Sequence, residues 1–105
     1  MSASPADLIF GALADPNRRQ IVELIAGRGP ATPTELSADL AISRQGASKH
    51  LNSLVEAGIL DAERSGREVR YGMVEGGLEP GSDWLNRVDG EWDRRLAALK
   101  RHVRE

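Results

Sequence analysis

In residues 40–60, LAISRQGASKHLNSLVEAGIL, a repeat of about 3.6 puts Gln45, Ser48, Lys49 and Asn52 on one side and Ala47, Leu51, Leu54 and Gly58 on the other. The polar side offers amide, hydroxyl and ammonium groups, the donors and acceptors that meet base edges or grip phosphates. Arg44, just before Gln45, adds a guanidinium. A surface helix more often alternates Glu and Lys in i,i+4 pairs, yet the only acid here is Glu56, near the far end. An apolar spine beneath a small polar face suits insertion into the major groove of a DNA duplex. His50 stands at the edge of the apolar face, about 60° from Ala47, where it can donate to a phosphate or pack at the helix boundary. Enzyme chemistry is not indicated. The chain has two histidines and no cysteine, and it shows no Gly-rich phosphate loop or nucleophile elbow.

The elements that would position this face are also legible. Thr32-Pro33-Thr34-Glu35 reads as a capping box with proline at the first helical position, so a helix should open at Thr32. Leu36 and Leu40 give it an apolar stripe, Ala41 and Ile42 break the pattern, and Ser43 caps the next helix. Two helices joined by about three residues, the second with an exposed polar face, make a helix-turn-helix over about residues 32–57. An αα-hairpin in any small bundle would look the same to this point. The next stretch, LDAERSGREVRYGMV at residues 60–74, alternates on both sides of Ser65-Gly66-Arg67-Glu68. Leu60 and Ala62 share one face with Val69, Tyr71 and Met73, which predicts a two-stranded hairpin over about 59–74 with glycine at the bend. A hairpin directly after such a helix is the wing of a winged helix. Its Arg64, Arg67 and Arg70 suit contact with a DNA backbone or minor groove. A plainer role for them is to keep an exposed sheet edge from aggregating.

At 105 residues there is room for one small core, and burial between subunits is a natural supplement. No apolar run of 18 residues exists and MSASPADLIF lacks the pattern of a secretory signal, so no membrane span is expected and a cytoplasmic protein is the simplest inference. Absence of cysteine removes disulfides and thiolate metal sites. Net charge is −2 with a pI near 5.7, which argues partly against DNA. Residues 1–42 hold 3 basic and 5 acidic side chains, residues 43–71 hold 5 and 4, and residues 72–105 hold 6 and 7. Facing must then decide: Arg44, Lys49, Arg64, Arg67 and Arg70 could share a surface while Asp61 and Glu63 turn away. Few phosphate contacts per subunit would make two subunits necessary.

The ends suggest how they pair. Leu8, Ile9, Ala12 and Leu13 recur at helical spacing within Pro5–Leu13, and Asp15-Pro16 restarts a helix in which Ile21, Leu24 and Ile25 face a core. After the breaker-rich EGGLEPG, a helix is expected over about 82–103. There Leu85, Val88, Trp92, Leu96, Leu99 and Val103 recur at intervals of 3, 4, 4, 3 and 4. This 11-residue repeat gives about 3.67 residues per turn, a nearly straight helix. Such a stripe is long for one small domain, so Leu8, Ile9, Leu85, Val88, Trp92, Leu96 and Leu99 are expected to form a two-fold dimer interface.

From about residue 8 to 103 the order of elements resembles an ArsR-type winged-helix repressor. The most specific parts are Ala14-Asp15-Pro16-Asn17-Arg18-Arg19 with Ile21, and Ser48-Lys49-His50-Leu51 followed by Leu54, Ala57, Gly58 and Leu60. The resemblance implies a mainly α fold of about five helices plus a two-stranded wing. It also implies a homodimer joined through first and last helices that occupies double-stranded operator DNA over promoters. It marks Ser43, Arg44, Gln45, Ser48, Lys49 and His50 as groove-facing, with Arg64, Arg67 and Arg70 as wing contacts. One metal pattern of the family, Asp-x-His, ten residues, then His-x-x-Glu, is matched in spacing by Asp89, Glu91, His102 and Glu105, with Glu91 replacing the first histidine. One histidine with three carboxylates is a poor zinc set, so no metal or other cofactor is expected and the chain resembles the branch lacking metal ligands. The effector is not indicated. The alternative function is a winged helix for protein–protein interaction without DNA binding.

Overall fold

A computed structural model describes residues 3–104. Its elements are α1 (Pro5–Leu13), α2 (Pro16–Arg28), α3 (Pro33–Leu40), α4 (Arg44–Glu56), β1 (Leu60–Ser65), β2 (Glu68–Met73) and α5 (Glu79–Arg104). This is a winged helix-turn-helix, mainly helical with one antiparallel hairpin.

Each of the first four helices opens at a side-chain cap. Thr32 and Glu35 close the capping box of α3, and Ser4 and Asp7 close a second one on α1 that went unread in the sequence. Asp15 accepts the Asn17 N–H at 2.8 Å and Ser43 accepts the Gly46 N–H at 2.9 Å. These bonds satisfy donors that the first turn of a helix otherwise leaves unpaired. Between α3 and α4 the chain turns through Ala41, a left-handed residue at φ 55° without being glycine. The Ser37 hydroxyl donates to the Ile42 carbonyl and braces that turn.

Ile21, Leu36, Leu51, Leu54, Ile59 and Leu60 form the fully buried centre where α2, α3, α4 and β1 meet. Each such side chain contributes about 1.5–3 kcal/mol through burial, so α4 is fixed to the domain by its apolar face. Gly58, placed on that face by periodicity, lies beyond the helix end instead. At φ 81° it lets its own N–H reach Val55 O at 3.0 Å while Ile59 N–H reaches Leu54 O at 3.1 Å. This Schellman arrangement reverses the chain into β1.

The hairpin register pairs Leu60 with Met73, Ala62 with Tyr71 and Ser65 with Glu68, so the alternation read from the sequence is the observed one. Gly66 supplies the positive φ at the bend, 64°. An additional bridge joins Ala31 and Tyr71 through two backbone bonds of 2.9 and 3.1 Å, tying the wing to the loop before α3. α5 begins at Glu79 rather than Ser82, because Pro80 falls in the first turn, where a missing N–H costs nothing. Gly81 lies against Ile9, and Phe10 meets Trp84 edge-on at 5.4 Å, docking the start of α5 on α1. Gly81 is the one buried residue of α5, and the rest of the helix projects. The molecule measures 68 × 30 × 22 Å with a radius of gyration of 18.2 Å. A compact chain of this length would have about 13 Å. Among the described residues no helix is long and apolar enough to cross a membrane.

Candidate nucleic-acid interface

With Ala47, Leu51 and Leu54 committed to the core, α4 turns Arg44, Gln45, Lys49 and Asn52 to solvent. Ser43 is exposed at the helix start, its oxygen accepting from Gly46 and its O–H still able to donate. Ser48 is half-buried. With Arg44 it lines a groove of about 340 Å³ whose other walls include Thr32 and Thr34 at the start of α3 and, on the wing, Arg67 with the carboxylate of Glu68 beside it. Three separate elements thus aim hydroxyls, guanidinium groups and a helix N-terminus into one space, a combination suited to phosphate oxygens. Thr34 was not singled out from sequence. Its signal was the capping box, which marks where a helix presents its positive end.

At the wing tip, Arg67 is exposed and Arg64 Nε donates to Gly66 O at 3.4 Å. Asp61 and Glu63 lie on the hairpin face opposite Ala62 and Tyr71, turned from the groove that Arg67, Val69 and Tyr71 line. Glu68 lines that groove together with Arg67, so the hairpin turns two of its three acids away rather than all of them. Arg70 is different. Its guanidinium donates to Glu35 Oε1 at 3.2 Å and to Glu68 Oε2 at 3.3 Å, bracing the wing against α3 with its charge already offset by two carboxylates. Glu35 also takes the Thr32 N–H at 3.0 Å. The Thr32 backbone N–H and then its hydroxyl, helped by Arg70, hold the Glu35 carboxyl below its usual range against an upward push from burial.

His50 faces α2. Its ring is 18% exposed, with Nδ1 accepting from Arg18 Nε at 3.4 Å and lying 4.0 Å from Asp15 Oδ2. At Asp15 burial pushes the carboxyl pKa upward, but the backbone N–H groups of Asn17 and Arg18 and the nearby Arg18 guanidinium bring it below the ordinary value. Of the two roles open to His50 in the sequence, the geometry supplies the packing one, at the joint between α2 and α4.

On α1 and α5, Leu8, Leu85, Val88, Trp92, Leu99 and Val103 are exposed and Leu96 is half-buried. Ile9 departs from the expected interface. It is 2% exposed, buried within its own chain beneath Gly81, so a partner would gain no area by covering it. Asp89 and His102 lie on the same helix 13 residues apart, about 20 Å at the rise of an α-helix. They do not meet within a protomer, and among the described residues no group of three or more potential ligands forms. Glu105 lies outside the described residues.

Comparison with known proteins decides the family. The helix-turn-helix domain family matches residues 13–63. The transcriptional repressor SdpR of Bacillus subtilis (strain 168) is 31% identical over 77 residues, which span 73% of this chain and 84% of that protein. The solved structure of an ArsR-like transcriptional regulator from Rhodococcus sp. RHA1 superimposes with a TM-score of 0.78 at 37% identity, over 92% of this chain and 91% of that one. The chain belongs to the ArsR family of winged-helix transcriptional regulators. An arsenic resistance transcriptional regulator of Pseudomonas putida is a further relative, 33% identical over 90 residues, spanning 75% of this chain and 70% of that protein. Relatives of this ArsR-family chain are named as transcriptional regulators, so a DNA-free interaction module is not favoured.

Proposed function

We propose that two copies pair through α1 and α5 and repress transcription by occupying a two-fold symmetric operator, each α4 entering a major groove. The observation that carries this reading is the convergence of Arg44, Ser48, Arg67 and the start of α3 on one groove, beside the exposed Gln45 and Lys49. In this arrangement Arg44 and Gln45 meet base edges, while Ser43, Ser48, Lys49, Arg64 and Arg67 hold the backbone. His50 and Arg70 are positioning residues that hold α4 and the wing from behind. The uncovered apolar stripe of α5 supports the second copy, since a monomer rarely exposes so long an apolar surface. No catalytic group or cofactor enters this reading, and the protein works in the cytoplasm beside the DNA it occupies.

Selection of bound fragments from random DNA tests it. The expected sites are inverted repeats with half-site centres about 34–36 Å apart, one helical turn. Arg44→Ala or Gln45→Ala should change the preferred sequence, whereas Lys49→Ala should weaken all sequences alike. Failure to retain any fragment at low salt would overturn the proposal.

A further inference from the structure

The turn between β2 and α5 packs against the exit of α4. Val74 N–H donates to Ile59 O at 3.0 Å and Gly77 N–H donates to Val74 O at 2.9 Å, which lays this turn on Gly58, just past the end of α4. At Gly77 the approach is backbone to backbone. A Cβ there would stand 2.7 Å from Gly58 O, 3.0 Å from Val74 O and 3.1 Å from Val74 Cβ. No other glycine in the chain would meet so close a neighbour. Gly77 is not among the residues with positive φ, so the position requires room rather than a special backbone conformation. Further along, a Cβ at Gly81 would stand 3.1 Å from Ile9 Cγ2, and Leu78 between the two glycines packs on the core. The start of α5 is thus pinned twice, to the exit of α4 at Gly77 and to α1 at Gly81.

Building on the two-copy operator reading above, we propose that Gly77 is a positioning residue for DNA recognition. Its missing side chain sets the angle between α5 and α4, and with it the separation at which two α4 helices reach their half-sites. Gly77 lines neither the groove of Arg44, Ser48 and Arg67 nor the apolar stripe of α5, so it acts on spacing alone. A methyl group at Gly77 has to open the junction by about 0.7 Å to reach ordinary contact, and Gly58 O, being backbone, cannot swing aside. With Gly81 held on Ile9 about 6 Å further along, that opening tilts α5 by about 7°. Trp92 lies about 16 Å beyond Gly81 and moves by about 2 Å, which a two-fold axis doubles to about 4 Å. One base-pair step is about 3.4 Å, so the change is enough to put the second α4 out of place.

The test compares Gly77→Ala with the unaltered protein and with Gly27→Ala, whose Cβ would meet nothing within 4 Å. Three quantities are measured: the dimer Kd by sedimentation equilibrium, the Kd for a DNA fragment with one half-site, and the Kd for full operators whose spacers differ in length. Gly77→Ala should keep the dimer and single-half-site Kd to within about threefold, because the substitution is remote from both surfaces. Its Kd for the original operator should rise about tenfold or more, since a misplaced second α4 forfeits the gain of bivalent binding. A spacer altered by about one or two base pairs should recover most of that loss. Gly27→Ala should match the unaltered protein throughout. Equal losses on half-site and full operator, or an unchanged preferred spacer, would overturn the role of Gly77. Should Gly77→Ala not fold, the unaltered dimer decides: a rigid junction requires binding about tenfold weaker when the spacer changes by one base pair, and even binding across spacers would overturn the proposal. An unaltered chain that stays monomeric or retains no fragment would overturn the two-copy operator reading itself.

Discussion

Loss of Arg67 should change how operator binding responds to salt, whereas loss of Arg70 should not. In the proposed docking, four cations per protomer that have no carboxylate partner among the described residues would meet DNA: Arg44, Lys49, Arg64 and Arg67. Arg70 is held by Glu35 and Glu68. A dimer would bring about eight such cations to phosphates, and at about 0.9 per contact the slope of log K against log salt is at most about −7. Affinity then falls about 10⁴-fold between roughly 50 and 200 mM salt. Arg67→Ala removes one contact from each protomer and should flatten the slope to about −5. Arg70→Ala should leave the slope within about 0.5 and cost folding no more than about 1 kcal/mol, the scale of an exposed ion pair. Fluorescence anisotropy on a selected operator fragment over a potassium chloride series reads both quantities. If Arg70→Ala flattens the slope as much as Arg67→Ala does, Arg70 leaves its carboxylates to bind DNA and the bracing role assigned to it is wrong.

Other consequences follow from the fold. Leu51 is fully buried on the inner face of α4, so Leu51→Ala should lower stability by about 2–5 kcal/mol in urea unfolding. Ser43→Ala removes the α4 cap and should cost about 1 kcal/mol by the same measurement, with weaker operator binding because the recognition helix frays. Glu35 has a folded pKa below its ordinary 4.5, so its contribution is present above that value and is lost as pH falls through the folded one. Thermal melts should therefore show a stability loss between pH 4.5 and the folded pKa that is smaller in Glu35→Gln; identical acid profiles would remove Glu35 as a source. Ala41 pays for a left-handed backbone, so Ala41→Gly should leave stability unchanged or raise it by up to about 1 kcal/mol, despite the usual entropic penalty of glycine.

The helix starts, the hairpin and the polar face of α4 were legible because each depends on residues close in sequence. A cap needs its hydroxyl within three positions of the N–H it accepts, as at Thr32 and Ser43. The alternation through Leu60–Met73 places side chains by backbone geometry alone. What periodicity cannot supply is the partner across space. Whether His50 faced a phosphate or a neighbouring helix depended on Asp15 and Arg18, more than thirty positions away. Arg70 looked like its neighbours Arg64 and Arg67 until Glu35 was found beside it. Ile9 and Leu8 were equal candidates for an interface until α5 settled on α1 and buried only Ile9. Local bonding wrote the elements and their faces into the chain, while the loyalties of its long charged and aromatic side chains were decided by tertiary packing, because their ends reach whatever the fold brings near.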